Sequence, residues 1–178
     1  MSFLIGIVGY ILYFVYDLNQ VYNWHKVLKL GFSLGSLLVL IGTLLECSLD
    51  IKNYWAILIL VIGIMLEIYV LFFALDFKNT YVDEEFKVND HGVYALCRHP
   101  GFYSFLLIYL GLYLMYLNDR CLVMLVLYNM LNLLYIIFQD SFVFPKLFKD
   151  YRSYKKTTPF LLFNKQSICK CINDFRGI

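Results

Sequence analysis

The chain has 178 residues, 61% of them hydrophobic, 19% aromatic and only 16% charged, with a mean hydropathy of +0.69. That composition excludes an ordinary water-soluble globule and makes the bilayer the expected solvent. A net charge of +2 selects no partner class, and the five cysteines (Cys47, Cys97, Cys121, Cys169, Cys171) are odd in number and lack zinc-site spacing, so neither a metal nor a disulfide framework is expected.

Five apolar segments follow in chain order: residues 2–16, 30–49, 54–75, 101–117 and 121–138. The second and third reach the ~20 residues a spanning helix needs, whereas the first and fourth are short. The first carries no preceding basic residue and no small-residue cleavage site, so it reads as a membrane anchor rather than a cleaved signal. Two tight connections, Asp-Ile-Lys-Asn at 50–53 and Asn-Asp-Arg at 118–120, join the second to the third and the fourth to the fifth. Between the third and fourth lies a long interruption, residues 78–100, whose acidic Asp83-Glu84-Glu85 reads as a solvated loop.

Lysine and arginine placement sets the expected orientation, because cytoplasmic loops carry the positive excess. With five spans and the N-terminus outside, 13 of the 15 basic residues face the cytosol and only Lys52 and Arg120 do not. The reading is an all-α integral membrane protein, a single domain over 1–178, with about five transmembrane helices and a cytosolic amphipathic helix. That last helix starts near Pro145 and aligns Leu147, Phe148, Tyr151 and Tyr154 on one face, along the membrane surface or against the ends of the spans. Pro159 limits it, and 164–178 reads as a basic tail.

Arg98, His99 and Pro100 stand at the mouth of the fourth segment. Arginine offers a planar fork for a carboxylate or phosphate, and a helix N-terminus adds its dipole. The alternative is a snorkelling arginine and a capping histidine at a membrane boundary. In the fifth segment Tyr128, Asn132, Tyr135 and Gln139 share a helix face with Asn129 beside it, either as interhelical hydrogen-bond glue or as the wall of an acceptor tunnel. Glu67, deep in the third segment, is a functional candidate because burying its charge is costly, whereas Glu46 lies nearer an edge.

The stretch Gly-Val-Tyr-Ala-Leu-Cys-Arg-His-Pro-Gly-Phe at 92–102 resembles the G-x-Y-x-x-x-R-H-P-x-Y signature of the isoprenylcysteine carboxyl methyltransferase and phospholipid N-methyltransferase superfamily. Gly92, Tyr94, Arg98, His99 and Pro100 match it; Gly111, Asn118, Tyr151, Tyr154 and Pro159 agree further on, so the resemblance covers about 90–163, with 1–89 left as N-terminal spans and acidic loop. It implies an S-adenosylmethionine-dependent methyl transfer to a lipid-like or isoprenylcysteine-like acceptor. Tyr94, His99, Pro100, Tyr103, Tyr151 and Tyr154 would hold the cofactor, and Arg98, Gln139 and Asp140 would serve catalysis. Two positions depart from the pattern: Phe102 stands for a tyrosine, and Gln139-Asp140 stands for a Glu-Glu pair. An NADPH-dependent membrane reductase of the steroid and sterol type is the competing enzyme, weakened by Gly101, Phe102, Ser104 and Phe105 where that family's motif has Asn, Tyr, Gly and Glu. A non-catalytic member of the methyltransferase fold is the third reading. The expected partners are the lipid bilayer and an amphiphilic acceptor; no nucleic-acid partner is expected, since the basic residues flank spans.

Overall fold

The computed structural model describes residues 2–47, 50–74 and 87–176, and among them there is no strand. Helix α1 is Phe3–Tyr22, and Asn23 stops it by turning left-handed while its N–H bonds the Asn19 carbonyl at 2.8 Å. His25 opens the next element, its Nδ1 accepting from the Val27 N–H. A 3₁₀ stretch, Lys26–Leu30, then feeds α2, Gly31–Glu46. Helix α3, Ala56–Ile68, widens into a π-helical end at Tyr69–Ala74. The short α4, Val93–Leu96, precedes α5, Gly101–Tyr116, and the Asn118 side chain caps α6, Asp119–Phe138, by accepting from the Cys121 N–H. Helix α6 runs on through a π turn, Gln139–Val143, into Phe144–Leu147. Two further helices, α7 (Tyr151–Thr157) and α8 (Lys165–Arg176), close the described chain.

Four of these helices are long and apolar enough to cross a membrane: Phe3–Tyr22, Lys26–Glu46, Ala56–Ala74 and Asp119–Leu147. The protein is thus an all-α membrane protein, and exposed Leu, Ile, Val and Phe side chains line its spans. The first span is longer than its apolar run suggests, because Asp17 and Asn19 stay helical with their side chains buried in protein contacts. The fifth apolar helix, α5, has 16 residues, about 24 Å at 1.5 Å per residue, short of a ~30 Å hydrocarbon core. Neighbours cover its far end: the Met115 carbonyl accepts from the Lys52 and Asn53 N–H groups.

Helices α1 and α2 pair antiparallel through glycine, since a Cβ on Gly9 would lie 2.6 Å from the Gly35 carbonyl oxygen. Helices α3 and α5 pair the same way, with Gly111 against the Leu60 backbone and Gly63 against Ile108. Helix α6 joins the two pairs around a buried core of Tyr10, Tyr109, Met115, Met124, Tyr128 and Tyr135. Tyr10 donates to the Tyr128 carbonyl, and the Tyr109 and Thr43 hydroxyls bond at 2.8 Å. The result sorts the loops into two ends. One holds Ser2, Glu46, Lys52 and Arg120, with the Ser2 N–H donating to Glu46. The other gathers everything from Arg98 and the end of α6 through α8.

Two sequence expectations need correction at that second end. The helix expected from Pro145 onward is broken at Phe148–Asp150 into the last turn of α6 and a separate α7, although Phe148, Tyr151 and Tyr154 do share one buried face. The stretch 164–178 is no plain tail, since α8 occupies Lys165–Arg176. The acidic 83–85 triplet lies outside the described residues.

Candidate functional site

The capped end is built on Asp140. The π turn at Gln139–Val143 adds a residue to the helical repeat and separates the directions of two neighbouring side chains: Asp140 is buried under α7, while Gln139 points to α1. Arg98 meets Asp140 with a two-pronged pair, Nε to Oδ1 at 2.7 Å and Nη2 to Oδ2 at 3.2 Å. Tyr151 donates to the same Oδ1 at 2.6 Å, and the Lys155 ammonium lies 2.7 Å from Oδ2. One carboxylate thereby ties together the loop before α5, the end of α6 and helix α7.

Arg98 has few donors left over. Its Nη1 donates to the Thr158 carbonyl at 2.7 Å, its backbone N–H donates to the Pro159 carbonyl, and its guanidinium sits over the Phe160 ring. The Pro159 ring lets the chain leave α7 extended, which is what brings those carbonyls back to Arg98. Pro100 begins α5 with φ of −63°, and its fixed angle holds Arg98 and His99 against this junction.

His99 is buried with its ring stacked on Phe144 and edge-on to Phe160. Its Nε2 lies 3.6 Å from Asp140 Oδ1, beyond hydrogen-bond distance. Burial lowers the imidazole pKa below its ordinary value, an effect that Asp140 opposes and that Arg98 and Lys155 reinforce. The Tyr151 phenol is pushed up by burial and then by its bond to Asp140, and that of Tyr154 chiefly by burial, so both remain hydrogen-bond donors. Tyr154 donates to the Tyr94 carbonyl at 2.6 Å, Tyr94 reaches the Val70 carbonyl, and Tyr103 donates to the Leu161 carbonyl.

The residues assigned from the sequence to cofactor binding or catalysis thus fall into one cap, except that Gln139 donates from Nε2 to Asp17 Oδ2 at 3.0 Å, on the α1 side of the π turn. Asp17 is itself buried, and the Tyr135 hydroxyl lies beside it without hydrogen-bond geometry. Sequence reasoning missed Asp17, Lys155, Thr158 and Phe160; the signal for Asp17 was a charged residue following an apolar run by one position. The α6 stripe faces protein as expected, with Tyr128, Asn129 and Tyr135 buried. Glu67 meets Ser104 of α5, so the carboxylate in α3 is held at the start of the neighbouring helix.

Two buried polar atoms in the cap, His99 Nε2 and Thr158 Oγ1, have no hydrogen-bond partner. The His99 ring lies against Phe144 and Phe160, and the Thr158 backbone carbonyl accepts from Arg98, so spare polar atoms and apolar faces occur together in the cap, a mixture that suits a small ligand with both characters. No group of three or more His, Cys, Asp or Glu side chains able to hold a metal is present among the described residues.

A family model described as Protein of unknown function (DUF1295) matches residues 10–158, from α1 through the end of α7. No curated protein and no solved structure matches the chain.

Proposed function

Because the chain belongs to the family described as Protein of unknown function (DUF1295), whose description assigns no reaction, we propose the activity from the cap itself: S-adenosylmethionine-dependent methyl transfer to a lipid-like or isoprenylcysteine-like acceptor at the cytosolic membrane face. The observation that carries this reading is the junction at Asp140. Asp140 bonds Arg98 and Tyr151 and has His99 3.6 Å away, while Tyr154, on the same helix as Tyr151, donates to the Tyr94 carbonyl; the methyltransferase resemblance had named Tyr94, Arg98, His99, Asp140, Tyr151 and Tyr154 together.

The cofactor, when bound, supplies an activated methyl group on a sulfonium. The residues that would hold it are His99 and Thr158, through their unpartnered atoms, with Tyr94, Tyr103, Pro100, Tyr151 and Tyr154 as the further contacts that the resemblance implies. The chain's own contribution is to orient the reactants and keep water away, which the aromatic lining of Phe144 and Phe160 serves. Arg98 and Asp140 act here by holding three segments in register. A carboxylate acceptor needs no base, whereas an ammonium acceptor must first lose a proton. Asp17, hydrogen-bonded to Gln139, is a carboxylate next to the position where the resembling family has glutamate. The basic residues at the capped end support placing it in the cytosol.

Calorimetric titration of the detergent-purified protein with S-adenosylmethionine and with NADPH tests the proposal, with His99→Gln and Thr158→Val beside the parent chain. Saturable S-adenosylmethionine binding weakened in both variants, followed by labelled methyl transfer into a lipid extract, is the expected result. Binding of NADPH alone would replace it with the reductase reading. A non-catalytic role has one observation in its favour, the near-complete engagement of Arg98 by protein acceptors, and binding without turnover on any lipid would select it.

A further inference from the structure

Helix α8 begins with a local cap: the Asn164 side chain accepts from the Ser167 N–H at 2.8 Å, and the Ser167 hydroxyl bonds back to Asn164. At 100° per residue its twelve residues divide into three faces. Ser167, Cys171 and Asp174 form the face turned to the protein, where Asp174 accepts from the Gly92 N–H at 3.0 Å and Lys170 pairs with Asp90 at 2.7 Å. Gln166 and Asn173 form an exposed polar face. Between these lies an apolar stripe, Ile168, Ile172 and Phe175, within an arc of roughly 60°. The stripe is left 41%, 43% and 60% exposed.

The stripe does not stand alone. Leu162 and Phe163, just before the helix, are also exposed, and Phe163 packs on Tyr103 in the first turn of α5. At its other end α8 packs on α4, which in turn contacts the π-helical end of α3, where Phe72 and Phe73 are exposed. The helix that carries the stripe is therefore tied through Phe163 to the start of α5 and through α4 to the end of the α3 span, where exposed aromatic side chains mark a lipid-facing surface. Lys165 and Arg176, both exposed, border the stripe on the side away from the protein, the arrangement that lets cationic heads reach phosphates while the stripe sinks between acyl chains.

We propose that α8 is an in-plane membrane helix that binds the anionic lipid surface through Ile168, Ile172 and Phe175, with Lys165 and Arg176 on the headgroups. It lies beyond the family-matched residues and does not depend on the reaction assigned to the cap. Its seat matters to the site, because Asp174 and Lys170 clamp the segment before α4, and α4 carries Tyr94 to Tyr154.

The test uses the full chain with Trp24 and Trp55 replaced by phenylalanine and a single tryptophan introduced as Ile172→Trp or Asn173→Trp, in nanodiscs whose lipids carry bromine on the upper acyl chain. Quenching several-fold stronger for Ile172→Trp than for its neighbour Asn173→Trp is expected. Adding Lys165→Glu and Arg176→Glu should reduce that quenching in discs containing phosphatidylglycerol and leave it unchanged in pure phosphatidylcholine. Equal quenching at the two positions would overturn the proposal. So would an Ile172→Trp signal shielded from both brominated lipid and aqueous acrylamide, which would mean that a second copy or another segment of the chain covers the stripe. No effect of the charge reversals would remove the anionic requirement.

Discussion

Arg98 and Asp140 are 42 residues apart and meet through two nearly parallel hydrogen bonds, with both side chains almost wholly buried. A buried pair of this kind costs desolvation on both sides, so its net contribution is small, but removing one member strands the other. Arg98→Met or Asp140→Leu alone should each lower stability by about 3–5 kcal/mol, and the double replacement should lose less than the two together. Thermal unfolding in detergent of the four proteins of this cycle measures it. Arg98→Lys should also be poorly tolerated, because an ammonium cannot keep both prongs and the Thr158 carbonyl at once.

His99 predicts a pH dependence with a definite sign. Its pKa is lowered in the fold, chiefly by burial, from an ordinary value near 6.5. As pH falls below that value the unfolded chain takes up a proton that the folded chain resists, so folding is progressively disfavoured toward acid and the full contribution is present above it. Unfolding midpoints at about pH 7.5 and 5.5 should differ less in His99→Gln than in the parent chain. An equal pH response in the two would show that other groups carry it.

How much of this could be read in advance differs between the spans and the cap. The apolar segments were legible because a spanning helix announces itself by length and hydropathy, and Arg98, His99, Tyr151 and Tyr154 because their spacing is local. Asp17 was not, since its partner Gln139 is 122 residues away and only tertiary closure brings them together. The π turn that parts Gln139 from Asp140 has no periodic signature. Helix α8 hid behind its low hydropathy, although Asn164 with Ser167 three residues on, and the Ile168, Ile172, Phe175 spacing, are the marks of a capped amphipathic helix.

The α1–α2 contact supplies a packing prediction. The Gly9 and Gly35 carbonyls each occupy the space where the other residue's Cβ would be, 2.6 and 2.7 Å away, so rigid backbone blocks any side chain. Gly35→Leu should separate the helices and cost at least about 1–3 kcal/mol, the usual range for overpacking. Gly101→Ala is the control, because its nearest neighbours would stand at 3.7 Å and its backbone φ is unexceptional. Thermal aggregation in detergent should distinguish the two, and equal loss in both would refute the packing account.

The Gln139–Asp17 hydrogen bond makes the last prediction, and it separates structure from chemistry. Gln139→Glu would set a second carboxylate 3.0 Å from the first in a buried site, and like charges there destabilise unless one is neutralised. Asp17→Asn should relieve the effect, giving a coupling of roughly 0.5–3 kcal/mol in a double-mutant cycle. Under the methyl-transfer reading the same swap has a second consequence. If Asp17 is the carboxylate that serves the acceptor, Asp17→Asn should depress transfer to an amine acceptor far more than to a carboxylate, and adding Gln139→Glu should restore it by returning one negative charge to the pair. Rescue of stability without rescue of amine methylation would leave Asp17 as a structural partner of Gln139 and nothing more.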